Sequence, residues 1–209
     1  MQITIKQSTI KAVAHAMAKN DIRYYLKGML VHTNGHDTRL VATDGQRMNV
    51  AIIERTMLVE VPQQYIIPAS LVSTICKCKA GKDNKKPEVT LTFHDGKVAA
   101  ALPDGTEAVA KLIDGTYPDY DRVIPKTLSR ESAQYNPEYV LDAYKACADY
   151  LDVKNHQIAL SPNGSGPAAM ACGGFVALIM PRRTDDIVTK LDARLLSPIA
   201  SPEPVAVEA

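Results

Sequence analysis

Few residues in this sequence stand at spacings that could do chemistry. Cys76 and Cys78 are one residue apart, and a metal would have to borrow His94 or His156 from elsewhere. That spacing matches no strong zinc pattern, in which paired ligands are separated by about two to four residues. Cys78 also shares a helical apolar face with Leu71 and Ile75, which favours buried structural thiols over a metal site. No serine, histidine and aspartate form a nucleophile arrangement, no glycine-rich loop suits a phosphate, and no acid pair has a spacing for proton transfer. Asp114 and Asp119 flank a Gly/Pro turn and read as structural. The expectation is a binding protein with no catalytic residue, no metal and no cofactor.

The densest basic run is Lys77, Lys79, Lys82, Lys85 and Lys86, with Asp83 its one acid. It is either a solvated loop or a phosphate-facing rim. The formal net charge of the 209 residues is only +1, so contact with nucleic acid has to come from such local patches and has to be weak. Apolar residues at 46% and charged residues at 22% are ordinary for a soluble globular chain. The most apolar stretch, Phe175 to Met180, is strand-sized, and Met1 to Lys6 lacks the apolar core of a signal peptide. Cytoplasm is the expected location, with Cys76, Cys78, Cys147 and Cys172 reduced.

The elements that position these residues follow one pattern written three times. Residues 2–6 alternate as a strand, Ser8 or Thr9 offers an N-cap, and a helix is predicted to about Asn20 with Lys11, His15 and Lys19 along one face. Strands follow at Tyr24–Thr33, Arg39–Thr43 and Arg47–Glu54, with turns at Asn34-Gly35 and Asp44-Gly45. The second unit has a strand at Gln64–Ile67, a helix opened by Pro68 and Ser70 to about Ala80, and strands at Glu88–Phe93, Lys97–Leu102 and Ala108–Ile113. The third has a helix begun by Pro137 and ending near Tyr150, then strands at Lys154–Leu160, Ala168–Cys172 and Phe175–Met180.

Repeated units of this kind exist because one alone cannot cover its apolar face. Units one and two are expected to pair sheet to sheet and helix to helix as an α+β domain over residues 1–126. A polar linker is expected at 127–135, a half domain at 136–184 and a flexible tail at 185–209. Unit three has no mate, and its helix face (Val140, Ala143, Cys147) is expected to be covered by a second copy of the chain, giving a homo-oligomer.

Three stretches resemble the bacterial sliding clamps, the beta subunits of DNA polymerase III. They are Asp21-Ile-Arg-Tyr-Tyr-Leu-Lys-Gly-Met-Leu30 with Leu40-Val-Ala-Thr-Asp-Gly-Gln-Arg-Met48; Leu112-Ile-Asp-Gly-Thr-Tyr-Pro-Asp-Tyr-Asp-Arg-Val-Ile-Pro125; and Tyr139-Val-Leu-Asp142 with Leu178-Ile-Met-Pro-Arg-Arg183. The resemblance implies a DNA-clamp-like α+β fold. Units one and two match the family's middle domain, and unit three matches the second half of its last domain. The family's first domain and the rest of its third, whose contact closes the ring, have no counterpart in these residues.

The resemblance also implies a groove for short apolar peptides of polymerases, the clamp loader and repair proteins. Matching positions are Arg23, Tyr25, Leu26, Thr43, Gly45, Gln46, Arg47 and Met48; then Pro118, Arg122 and Val123; then Asn136, Tyr139, Leu178, Ile179, Met180, Pro181 and Arg182. Gln46 stands where the family usually has His, and Arg182 and Thr184 where it tends toward Met and Leu. Family helices line the DNA channel, so Lys11, Lys19, Lys77, Lys79, Lys82, Lys85 and Lys86 become candidate DNA contacts, against an acidic third helix bearing Glu138, Asp142 and Asp149. Two functions follow as alternatives: a clamp-like scaffold of DNA replication that self-assembles around DNA, or a non-encircling competitor or adaptor that takes the same peptides to redirect host replication. An enzyme is the disfavoured third class.

Overall fold

The computed structural model describes residues 1–33, 37–53, 62–81, 87–153 and 157–182. In the first unit, strand β1 (Gln2–Lys6) runs straight into helix α1 (Gln7–Ala14). A 3-10 turn (Tyr24–Lys27) then leads to β2 (Gly28–Thr33), β3 (Thr38–Thr43) and β4 (Arg47–Ile53). The second unit is β5 (Gln63–Pro68), α2 (Ala69–Lys77), β6 (Glu88–His94), β7 (Lys97–Ala101) and β8 (Glu107–Lys111), followed by a 3-10 turn (Tyr120–Val123). The third supplies α3 (Pro137–Leu151), β9 (Ala168–Cys172) and β10 (Phe175–Ile179).

Two antiparallel sheets result, ordered β1-β6-β7-β8 and β5-β2-β3-β4-β10-β9. Units one and two exchange their first strands: β1 pairs with β6 of unit two, and β5 pairs with β2 of unit one. Neither unit can therefore complete a sheet without the other. The helices cover one face of this scaffold, and their apolar sides (Ile10, Val13, Leu71, Ile75, Ala143, Cys147) share a core with the inward residues of both sheets. A smaller cluster fills the opposite face of the six-stranded sheet, from Leu26, Leu30, Met48, Tyr117, Tyr120 and Leu178. This is an α+β fold, and among the described residues no helix is long and apolar enough to cross a membrane.

Several expected boundaries shift for local reasons. The first helix begins at Gln7, with Lys6 as its N-cap, not after Ser8 or Thr9, and the Gln7 side-chain amide donates to the carbonyls of Ile75 (2.6 Å) and Cys78 (2.8 Å) at the end of α2. That helix stops at Ala14 rather than Asn20. Ala16 and Met17 tighten into i→i−3 bonds, and Ala18 N–H turns to the carbonyl of Leu26. Lys19 is therefore off the helix, and α2 likewise ends at Lys77, leaving Cys78 and Lys79 beyond it. Residues 24–27 form a 3-10 turn instead of strand, since Leu26 N–H is held by Arg23 O. Of the expected strand Lys154–Leu160, residues 157–160 carry no ladder, and pairing starts with a single bridge between Ser161 and Ala169. Residues 154–156, the Asn34-Gly35 turn and the tail from 185 lie outside the described residues.

The expected uncovered face of the third helix is covered within the chain. Asn136 caps α3 by accepting from Glu138 N–H, Pro137 opens it, and Ala143, Ala146 and Cys147 are buried against α1 and the sheet. Unit three thus completes itself on unit one, through α1–α3 packing and the β4–β10 ladder. The segment 127–135 lies along unit three as well, with Glu131 O accepting from Gly164 N–H and Gln134 O from Arg182 N–H.

Exchange of β5 brings it close to β2 at Gly28, where an added Cβ would lie 2.5 Å from Ile66 Cγ2 and 2.8 Å from the Ile67 carbonyl. Gly28→Ala must push these strands apart, with an expected loss of about 1–3 kcal/mol, as for other overpacked sites. Urea unfolding should show a lower midpoint; an unchanged midpoint would mean that β5 yields without cost.

Candidate peptide-docking site

The six-stranded sheet carries a cavity of ≈ 220 Å3 on its smaller-core face, over the junction of β4 and β10. The ladder pairs Leu178 with Met48 and Ile179 with Arg47, and strand residues alternate between faces. Leu178 and Met48 therefore sit side by side as the cavity floor, 2% and 3% exposed. Ile179, expected at the groove, turns the other way into the helix-side core. Met180 and Val123, 41% and 39% exposed, stand at the mouth.

Ten of the eighteen residues expected at the groove line this one cavity: Arg23, Leu26, Thr43, Gly45, Arg47, Met48, Pro118, Val123, Leu178 and Met180. They come from the first 3-10 turn, the β3–β4 hairpin, the loop at 118–123 and the end of β10. Asp119 and Tyr120 line it too and were missed. The only sequence signal for them was their place inside the Pro118–Val123 stretch. Tyr25 is half-buried against the cluster beneath. Arg122 points to solvent, paired with Asp119 at 2.8 Å. Gln46, Asn136, Tyr139, Pro181 and Arg182 belong to the joint beside the cavity: Met180 N–H donates to Gln46 O, Tyr139 hydroxyl to Gln46 Oε1, and Arg182 N–H to Gln134 O.

The hairpin rim is rigid. Asp44 Oδ1 accepts from the backbone of Gln46 (2.9 Å) and Arg47 (3.0 Å), and Thr43 Oγ1 accepts from Gly45 N–H. Gly45 has φ +91°, which disfavours any side chain, and a Cβ there would meet the Arg23 guanidinium at 3.0 Å. Arg23 is held by Asp21 through two hydrogen bonds (2.7 and 3.0 Å), which lower the Asp21 pKa to about 2.

Arg47 ties the rim to the third helix. Its Nε donates to Asp44 at 3.0 Å, its Nη1 to Asp142 at 2.6 Å, and its guanidinium lies 4.6 Å from the Tyr139 ring centre. A second pair, His15 with Asp149 at 2.8 Å, links α1 to α3.

Burial disfavours the thiolate form of the cysteines. Burial pushes the Cys76 thiol up to about 11 and Cys147 up to about 12, and Cys172 is raised too. Of the candidate DNA contacts, Lys19, Lys77 and Lys79 are exposed, Lys11 is half-buried on α1, and Lys82, Lys85 and Lys86 lie outside the described residues.

Burial alone would raise the Asp142 pKa, but the hydrogen bond and charge of Arg47 outweigh it, and the carboxyl is held below its ordinary value. A group whose folded pKa is depressed stabilises the fold above its unfolded pKa, roughly 4, and that contribution is lost as pH falls through the lower folded value. Arg47→Met should therefore destabilise the chain by about 1–2 kcal/mol at neutral pH, between exposed and fully buried pairs. The gap to the parent should begin to narrow below about pH 4 and close only as pH falls through the lower folded value, where the parent's Asp142 is neutral as well. A pH-independent difference in unfolding free energy would assign the loss to packing on Tyr139 instead.

Residues 2–119 match the family described as DNA polymerase III beta subunit, central domain. The chain is 32% identical over 130 residues to the beta sliding clamp of Pseudomonas aeruginosa, covering 60% of this chain and 34% of that one. It is 34% identical over 131 residues to the beta sliding clamp of Escherichia coli K12, with the same coverage of each. For the beta sliding clamp of Vibrio cholerae the figures are 33% over 171 residues, 78% of this chain and 45% of the relative. The chain thus spans between a third and a half of the length of these relatives. Among solved structures, a DNA polymerase sliding clamp from Pseudomonas aeruginosa superposes with a TM-score of 0.70 at 21% identity, over 88% of this chain and 66% of that one. The DNA polymerase III beta subunit of Thermotoga maritima gives 0.69 at 17% identity, with the same coverage. The fold is a clamp fold, and the chain belongs to the DNA polymerase III beta subunit family, the beta sliding clamps.

Proposed function

We propose that the chain serves DNA replication as a clamp-type, non-catalytic protein that holds short peptides of polymerase and clamp-loader subunits in the cavity over the β4–β10 junction. The observation that carries this reading is the cavity's make-up. A Leu/Met floor joins two distant parts of the sequence, with a flexible Met and a Val at an open mouth and Arg side chains at its edge. Such a surface suits apolar anchors of differing shape, since a flexible Met adapts to several of them. The raised thiol pKa values support the absence of cysteine chemistry.

A peptide of the form Gln, polar, Leu, apolar pair is the ligand of choice, and micromolar affinity is expected in calorimetry. Met180→Ala should weaken it by about 1–3 kcal/mol, as expected when an anchor loses a desolvated partner. Met180 is a cleaner probe than Leu178, whose truncation also hollows the core beneath. Lys97→Ala, far from the cavity on β7, should bind as the parent does. Equal affinities for the Met180 and Lys97 variants would return the cavity residues to a purely structural role.

Contact with duplex DNA belongs to the same reading, on the helix side, through Lys11, Lys77 and Lys79. Two acids that would oppose it on α3 are engaged, Asp142 by Arg47 and Asp149 by His15. Self-association is part of it too, because Leu141 and Leu151 stay 52% and 39% exposed on α3. With about three phosphates neutralised, one per lysine, affinity should fall by roughly one and a half orders of magnitude between about 50 and 200 mM salt. Binding that survives about 0.5 M salt would refute weak phosphate contact, and a one-chain mass by light scattering at micromolar concentration would remove self-association.

A further inference from the structure

The cavity's wall at 118–123 is fastened from outside by residues that never touch the cavity. Tyr120 is 4% exposed, and its ring lines the cavity beside Leu26 and Leu178. Its hydroxyl reaches out the other way, 2.7 Å from His32 Nδ1, with the two rings edge to face at 5.7 Å. The next residue, Asp121, accepts from Arg39 at 2.6 Å, and the Arg39 guanidinium also acts on the Tyr120 hydroxyl. His32 and Arg39 stand directly opposite each other on β2 and β3. One cross-strand pair on a rigid sheet therefore grips two successive residues of the loop. That loop supplies Pro118, Asp119, Tyr120 and Val123 to the cavity.

We propose that the His32–Arg39 pair is a latch that sets the position of the Tyr120 wall, making His32 and Arg39 positioning residues for whatever apolar anchor the cavity takes. The physical ground is preorganisation. A wall held in place before binding need not be ordered on binding, so the affinity lost with the latch is the ordering cost it had removed. A net hydrogen bond of about 0.5–1.5 kcal/mol corresponds to a change in affinity of roughly two- to tenfold. The affinity side of the proposal rests on the peptide reading above, and the loop side does not.

The test uses the full chain and the same synthetic peptide, with amide hydrogen exchange of residues 120–123 as an independent readout. His32→Leu should weaken the peptide about two- to tenfold and speed exchange of those amides. Tyr120→Phe, which keeps the ring and deletes only the hydroxyl, should do the same. The double variant should be no worse than Tyr120→Phe alone, because the His32 bond is already lost with the hydroxyl. His32→Gln, whose amide can still bond the hydroxyl, should restore most of the affinity. A merely structural role would lower the unfolding midpoint in all variants without that rescue pattern or the shared, non-additive loss. Additive losses, or unchanged exchange in His32→Leu, would overturn the latch. Binding to the parent with no change in His32→Leu would overturn its link to affinity. A parent chain that binds no peptide would sink the docking reading and the affinity claim with it, leaving the loop claim to be decided by exchange alone.

Discussion

The antiparallel ladder between β4 and β10 is the constraint on which the rest depends. It joins Arg47–Ala51 to Phe175–Ile179, residues more than a hundred positions apart in sequence. Because strand side chains alternate, this single register decides the role of each residue on β10. Leu178 goes to the cavity with Met48, whereas Phe175, Ala177 and Ile179 go to the helix side. A slip by one residue would put Ile179 on the floor and bury Leu178 under α3. The cavity and the covering of α3 are thus two consequences of one pairing.

What holds that register is mostly apolar burial, with polar groups correcting its direction. Ala143, Ala146, Cys147, Phe175 and Ile179 are each at most 4% exposed, and burying side chains of the larger kinds contributes about 1.5–3 kcal/mol apiece. The two ion pairs between unit one and α3 contribute less, since burying their charges offsets part of the attraction and the more exposed His15–Asp149 pair is screened by solvent. Their value is geometric. Arg47 sits on the β4 residue opposite Ile179 and contacts Asp44 in the hairpin, Asp142 on α3 and the Tyr139 ring. One guanidinium therefore fixes the cavity rim against the helix that lies behind it.

Alternation and turn residues made most strands legible in the sequence, because both signals are local. The helix ends were over-read for a related reason. Met17 continues the apolar period of α1, and nothing nearby reveals that Ala18 N–H is claimed by Leu26 O. The N-cap expected at Ser8 or Thr9 left Gln7 outside the helix, and its task of closing the end of α2 is visible only once Ile75 is beside it. The exchange of β1 and β5 was illegible, since pairing partners of strands are long-range choices that composition does not encode. The cavity's membership came from the family resemblance, and it failed at Ile179, where the resemblance carried a residue but not the side of the sheet it faces. Tyr120 was not among the positions the resemblance carried, and its bond outside the cavity needs His32 placed by β2.

Strand exchange and the β4–β10 ladder also explain why the cavity can be both open and well formed. A cavity inside a single unit would be lined by residues that fold together, and packing would tend to close it. Here four elements converge from three directions. The first 3-10 turn, the β3–β4 hairpin and β10 are anchored in one sheet, while the 118–123 loop is pinned from its outer side. Each is satisfied by contacts away from the cavity: Arg23 by Asp21, Arg47 by Asp142, and Tyr120 by His32. The polar groups at the rim are thus spoken for before any partner arrives, and what faces the open space is mainly Leu, Met, Val and Pro side chains. An incoming apolar anchor gains from their burial while displacing little that is already bonded, which is the condition for binding short segments by a few side chains rather than by a broad surface.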